Sequence, residues 1–284
     1  GEYDIGQILP NQVKEVQDLA GYKVDLVPAN SWIIFEFNVA TERGQKLFSD
    51  PNVRKAIFHA IDREAIVDGL MEGTVQIANS AISPTSPYHN PDVPVYAYDP
   101  AQAAQMLDEA GWAPGADGIC EKDGERLSFT ITNRNSRPER TAIAQAIQAM
   151  LKEVGVEVKF EDLENAAWLE KWLSTDWEAI VGGWIIPADP SLTALYACEG
   201  SNNFTGFCNP ELDAAMMASD EVFDFADRKP LMDEVQLLMA EEGRELPLYY
   251  NVLPYVMRED MQGFKGSGTN LGSFWNVYEW SLGE

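Results

Sequence analysis

Apolar residues recur along the chain with two periods, and the points where one period gives way to the other mark its elements. Between Phe35 and Leu70, Val53, Ala56, Ile57, Ala60 and Ile61 fall at helical spacing and form one apolar stripe. Asp50-Pro51 opens that helix, because the carboxylate can accept from free first-turn amides and proline suits a position whose amide has no partner. Asp62 repeats the signal, with Ile66 and Val67 on the buried side of a short second helix that Gly69 helps to end. Ahead of them, Asn11 to Leu19 predicts a short amphipathic helix stopped by Gly21, and Tyr22 to Val27 and Trp32 to Phe37 predict two strands.

Beyond Leu70 the segment Asn79 to Pro100 holds five prolines and little periodicity, which predicts an extended surface loop. Asp99-Pro100 starts a helix through Ala101, Ala104, Met106 and Leu107, closed by Gly111, with Trp112 packing back onto it. The alternating strand Leu127 to Ile131, the helix Glu139 to Val154 and the strand Val156 to Phe160 together indicate an α/β unit with a helix-covered sheet. Ala166 to Leu173 and Ala179 to Trp184 repeat the helix and strand. Asn209-Pro210 opens a helix that buries Leu212, Ala215 and Met216, and Asp227 opens a longer one that buries Leu231, Val235, Leu238 and Met239. Leu246 to Val252 is apolar throughout and reads as a returning crossover.

Charge narrows the partners. The 284 residues carry 20 basic and 46 acidic side chains, a formal charge of −26, so nucleic acid and anionic membrane surfaces are poor partners. The given residues contain no apolar stretch of bilayer-spanning length, and their opening does not read as a signal peptide. Enzyme signatures are thin: there is no GxSxG, HExxH or P-loop, and His59 and His89 stand in no metal or triad spacing. Gly266-Ser267-Gly268 begins a dinucleotide-like pattern, but Leu271 replaces the third glycine and no helix pattern follows, so it reads as a turn.

Read as a whole, Phe37-Asn38, Val53-Arg54-Lys55-Ala56-Ile57 and Ala60-Ile61-Asp62-Arg63-Glu64-Ala65-Ile66-Val67-Asp68-Gly69 resemble a phrase of the extracytoplasmic solute-binding proteins of ABC importers, in their dipeptide- and oligopeptide-binding family. Further blocks match in the same order: Pro84 to Pro87, Tyr98-Asp99-Pro100 with LDEAGW, VGVEVKF, GGWIIPADP to CNPELD, and ELPLYYNV. The resemblance implies a periplasmic-binding-protein-like α/β fold of type II, peptide-binder cluster, with a sheet flanked by helices. Residues 1–35 would be the end segment of lobe I, 36–248 lobe II and 249–284 a return to lobe I. The opening GEYDI resembles a mid-protein phrase, so a C-terminal portion lacking most of one lobe is expected. The implied function is capture of a peptide or similar solute between two lobes and delivery to an ABC permease and its ATPase, outside the cytoplasm, by a monomer without a cofactor. A secreted hydrolase on peptides or sugars and a sensor module of the same fold are the competing readings.

The same resemblance supplies candidate site residues. Trp184 follows a glycine pair at a strand end, where α/β folds open their clefts, and serves either as a ligand wall or as core. Arg137 stands where the dipeptide binder holds a carboxylate, a role that guanidinium fits bidentately; a solvated loop arginine is the alternative. Asn38 and Asn133 are polar candidates at strand ends, and Phe204 could cover a ligand or fill the lobe. Relatives pair a peptide's amino group with an acid between this tryptophan and the Asp-Pro pair. Here Ile185, Ile186, Pro187 and Ala188 occupy that stretch, and Asp189 matches the family's second, structural acid, which leaves modified peptides, sugars or other solutes open. Some relatives carry paired cysteines where Cys198 and Cys208 bracket a short loop; in an exported protein a bridge there would contribute ~2–3 kcal/mol. Cys120 has no evident partner.

Overall fold

Seven strands form the main sheet of the computed structural model, which describes residues 3–269 and 272–283. They are β1 Ile5–Gln7, β2 Tyr22–Phe37, β3 Gln76–Ile77, β4 Ser128–Arg134, β5 Glu157–Leu163, β6 Ala179–Ile185 and β7 Glu245–Arg258. Their order is β1-β7-β2-β6-β4-β5, with β3 pairing on β7. Only the β6-β4 and β4-β5 neighbours are parallel. The helices that cover the sheet are α1 Glu42–Phe48, α2 Pro51–His59, α3 Pro100–Glu109, α4 Pro138–Glu153, α5 Asn165–Leu173, α6 Pro210–Asp220 and α7 Phe225–Glu242. This is the helix-flanked α/β arrangement expected from the pattern, with α4 as the crossover between parallel β4 and β5.

The two strands expected over Tyr22 to Phe37 are one 16-residue strand, which pairs with β7 on both sides of Ala29–Ser31, with Tyr250 opposite Trp32 and Val252 opposite Pro28. Register shifts between Pro247 and Tyr249 and between Tyr250 and Val252 bend β7 midway along the ladder. The helix expected from Asn11 to Leu19 shrinks to a 3-10 turn at Pro10–Gln12 and a single turn at Val13–Val16. The segment Asn79 to Pro100 has no helix or strand before Pro100; from Pro91 on it is mostly exposed, as expected, but its first half is not a surface loop. Ala81, Ile82, Tyr88 and Val93 are buried, and its polar groups are met by the Tyr250 hydroxyl and by Gln236, whose amide donates to the Tyr88 carbonyl at 2.9 Å.

Helix starts follow the caps. Asp50 accepts from the Asn52 amide at 2.8 Å, Asp99 from Gln102 at 2.9 Å and Asn209 from Glu211 at 3.0 Å. Helix α7 begins earlier than expected, because Asp224 and not Asp227 caps it. Its buried face is Met232, Val235, Gln236 and Met239, with Leu231 and Leu238 at the margin: a buried glutamine belongs to the stripe and turns the helix away from the purely apolar register. The two motif arginines tie elements together. Arg54 donates to the Phe48, Ser49, Glu242 and Gly243 carbonyls, closing the C-terminal ends of α1 and α7. Arg63 donates to the Ala78, Pro247 and Tyr96 carbonyls, fastening the long coil to β7.

The largest core lies between the sheet and α1 to α4, centred on Phe37, whose ring stacks on Phe48 at 4.2 Å and on Phe58 at 5.6 Å. A second joins Trp32, Ile34 and Tyr250 to α6 and α7. A small third cluster holds Val27, Tyr255, Met257 and Met261 at the far end of the β2-β7 ladder. Gly268 packs on β2 so closely that a Cβ would strike Pro28 and Ala29, and its carbonyl accepts from the Asn30 amide at 2.8 Å. The glycine pattern there therefore serves backbone packing; Leu271 lies outside the described residues. Trp112 is buried against Leu107 and Ala103 in the large core.

Candidate functional site

The glycine pair before Trp184 decides how the site is built. Trp184 of β6 pairs with Trp32 of β2, and Gly183 with Ile33, at a spacing where a Cβ on Gly183 would meet the Trp32 carbonyl and the Ile33 side chain. Bare backbone here leaves room above the sheet. A cleft of about 540 Å³ opens there, floored by β2, β6 and β7 and walled by α5 and the start of α4.

One wall is aromatic. Trp168 and Trp172 lie one turn apart on α5 and stack at 5.4 Å; Trp172 is 5.5 Å from Trp184 and 4.5 Å from Phe204. Trp177 is buried behind them and donates to the Trp172 carbonyl at 3.2 Å. Phe204 is held within the loop closed by the Cys198–Cys208 disulfide, whose Cα atoms are 4.4 Å apart, and Asn203 braces that loop by donating to the Ala197 and Phe207 carbonyls at 2.8 Å.

The other wall is basic. Arg137 is half-exposed and meets Glu139 only at 3.9 Å, so most of its donors remain available to a ligand. Arg140 lies beside Gly183, and burial pushes its guanidinium below the usual arginine range; its Nε has no partner among the described residues. Arg134 stacks over Trp168 at 5.6 Å, joining the two walls.

At the floor, Glu36 of β2 and Glu245 of β7 stand opposite each other in register, both buried. Glu245 accepts from the Tyr196 hydroxyl at 2.8 Å and from the Trp32 indole at 3.3 Å. Glu36 accepts from no donor among the described residues, and it borders both the cleft and the recess beneath Trp172, Trp184 and Phe204. Desolvation, reinforced by Glu245, raises the Glu36 carboxyl from the ordinary range to about 8, against an opposing pull from Arg244. Desolvation raises Glu245 to about 7, restrained by its bond from Tyr196 and by Arg244.

Of the residues singled out from sequence, Trp184 and Arg137 meet in this cleft and Phe204 backs its aromatic wall. The others lie elsewhere. Asn38 is fully buried, donating to the Thr175 carbonyl at 2.7 Å and accepting from the Ala40 amide at 2.6 Å. Asn133 binds Thr141 at 2.6 Å and Asp162 at 3.1 Å, tying β4 to α4 and β5. Asp189 pairs with buried Arg228 of α7, a structural role outside the cleft. His59 and His89 each meet a backbone carbonyl at 2.7 Å, of Ala97 and Ile82. Trp168, Trp172, Arg140 and Glu36 were not singled out. The tryptophans carried a signal in their four-residue spacing, and Glu36 in being the sole charge within an otherwise apolar strand end.

A model for the bacterial extracellular solute-binding proteins of family 5 (middle region) matches residues 1–206. The chain belongs to this family. It spans about half the length of the curated relatives it matches. These include the oligopeptide-binding protein AppA of Bacillus subtilis, 28% identical over 99% of this chain and 52% of the relative. A dipeptide-binding protein of Pseudomonas aeruginosa is 25% identical over 94% of this chain and 49% of the relative. The structure of Bacillus subtilis AppA in complex with a nonapeptide superposes with a TM-score of 0.89 at 27% identity, covering all of this chain and 57% of that one. NikZ of Campylobacter jejuni, in complex with Ni(L-His), gives 0.86 at 23% identity over 99% of this chain and 58% of that one, a likeness of fold. Proteins of this fold thus hold chemically different ligands, so the solute must be argued from the cleft itself.

Proposed function

We propose that this chain builds one wall and the floor of the cleft in the substrate-binding component of an ABC importer, working outside the cytoplasm on a peptide or peptide-like solute. The observation that carries the reading is the cleft above Gly183, where a tryptophan wall faces an arginine with unsatisfied donors. The aromatic wall offers apolar contact that tolerates varied side chains, and Arg137 offers a bidentate partner for a carboxylate. No bond need be made or broken; affinity comes from burying the solute when a second lobe closes over it, and the closed form docks on the permease.

The ladder of β2 and β7 is the natural connection between lobes. Trp32 and Ile34 pack in the helix-covered body, whereas Val27 and Tyr255 belong to the small far cluster. We therefore place the crossover at 28–31 and 251–254, next to the register shifts in β7, ahead of the boundary near Glu36 suggested by sequence.

Native mass spectrometry of the full-length protein purified from its own growth medium tests this. A co-purified solute released on unfolding, and weakened capture of carboxylate-bearing solutes in Arg137→Ala, are expected. A protein that holds nothing and takes up no member of a peptide library would overturn the reading, and bound substrate mixed with its cleavage product would replace it with a hydrolase.

A further inference from the structure

The acid that relatives place after this tryptophan is absent here, and Ile185 stands exposed at the cleft edge instead. The cleft nevertheless contains a carboxyl group that its own protein leaves unpartnered. Glu36 is 5% exposed, accepts from no donor among the described residues, and borders both a recess of about 10 Å³ beneath Trp172 and Trp184, too small for an organic cation, and the 540 Å³ cleft from which a cation could reach it. Gly182 keeps that approach open, since a Cβ there would lie 3.4 Å from the Glu36 Oε1. A buried carboxylate without donors is costly unless it is neutralised by a proton or by a cation from outside. Indole faces beside it add the electrostatic attraction that aromatic rings exert on ammonium groups.

We propose that Glu36, with Glu245 behind it, forms a proton-holding carboxyl pair that selects solutes bearing an organic ammonium group, the proton leaving as the cation enters. This deepens the solute-binding reading and rests on it.

The surroundings set the sign. Across β7, Glu245 disfavours a second negative charge and Arg244 favours it; β6 presents Ile180, Gly182 and Trp184, α5 presents Trp172, and the segment after α5 and β6 presents Trp177, Tyr196 and Phe204, all uncharged at neutral pH. Arg134, Arg137, Arg140 and Glu139 line the farther cleft wall. At low pH Glu36 is neutral and offers a cation little; as pH rises through its titration the carboxylate forms and the site gains its charge. Each pH unit below that titration should weaken ammonium binding about tenfold. Replacing Glu245 with glutamine removes the negative neighbour, so Glu36 should ionise at lower pH.

Choline and its neutral isostere 3,3-dimethyl-1-butanol, titrated into the intact protein from pH 6 to 9 while the Trp172 and Trp184 indole resonances are followed by NMR, separate the possibilities. Choline should tighten with pH and the alcohol should not. Glu36→Gln should abolish the difference, and Glu245→Gln should move the choline profile to lower pH. Equal binding of the two probes at every pH, or a choline profile that survives Glu36→Gln, overturns the inference. Should a variant fail to fold, the carboxyl carbon of Glu36 in the unaltered protein decides: saturating choline must lower its titration midpoint, and an unmoved midpoint overturns the proposal. A solute found by mass spectrometry together with no preference for choline sinks this inference alone, whereas an empty protein sinks the broader reading.

Discussion

Glu36 shows what a residue's type conceals. Its position in an apolar strand was readable, but its environment depends on Glu245, more than two hundred positions away, and on a tryptophan wall assembled from three elements. The consequence for stability is directional. Both carboxyls titrate above their unfolded range, so the folded state holds protons that the unfolded chain has released. Stability from these groups is fully present below about pH 4.5 and is lost as pH rises through about 7 and 8. One such proton costs about 1.4 kcal/mol per pH unit, roughly 2–4 °C of melting temperature for a chain of this class. Melting curves between pH 5 and 9 should therefore fall with pH, and Glu36→Gln should flatten the slope; a slope unchanged in that variant would assign the effect to other groups. Trp184 and Arg137, each of which the sequence left open to a structural reading as core or as solvated loop, both line the cleft. Asn38, Asn133 and Asp189 lie outside the cleft and meet neighbouring backbone and side chains instead, because an amide or carboxylate at a strand end satisfies such groups as readily as it meets a ligand.

At the scale of elements, the sequence pattern located α2 to α7 and missed α1; α2, α3 and α6 were plainest, because Asp-Pro and Asn-Pro caps combine a side-chain acceptor with a preset φ. It failed where tertiary partners override the local period. The first half of the coil, Asn79 to Asn90, is largely buried because Gln236 and Tyr250 satisfy its backbone, and Arg63 holds the more exposed second half at Tyr96; none of these contacts is local. Arg54 is the clearest case of a motif residue whose purpose is mechanical: four carbonyls from two helix ends converge on it, and its guanidinium stacks on Phe207 at 4.7 Å. Arg54→Lys keeps the charge but cannot reach all four acceptors, so it should cost roughly 2–4 kcal/mol in denaturant unfolding. A loss below about 0.5 kcal/mol would mean that water replaces the missing donors. The loop between Cys198 and Cys208 carries Phe204 to the aromatic wall. Reduction should lower stability by about 2–3 kcal/mol and alter the tryptophan emission of the wall; reduction that lowers the melting temperature with unchanged emission would separate the loop's stabilising role from its placement of Phe204.

Across the whole molecule, β2 and β7 pair along most of their length, interrupted at Ala29–Ser31, while the cores beside the two halves are separate. Phe35, Phe37, Leu246 and Leu248 lie in the largest cluster, whereas the opposite end of the same ladder is covered only by Val27, Tyr255, Met257, Met261 and a few partly buried side chains. The pattern carried part of this division: Tyr22 to Val27 alternates apolar residues with Lys23 and Asp25, whereas Trp32 to Phe37 is apolar but for Glu36, and what packs against each half shows only in three dimensions. Local opening free energy tracks buried apolar contact, so one hydrogen-bonded ladder should show two stabilities. In native-state hydrogen exchange, amides of Ile33 to Phe37 and of Glu245 to Leu248 should exchange near the global unfolding limit, and those of Tyr22 to Val27 and Tyr255 to Arg258 should exchange markedly faster. The change should fall at the register shifts in β7, where the ladder is already bent and where two lobes would pivot if the cleft closes. Uniform protection along both strands would make the ladder a single rigid unit and would move the hinge off it.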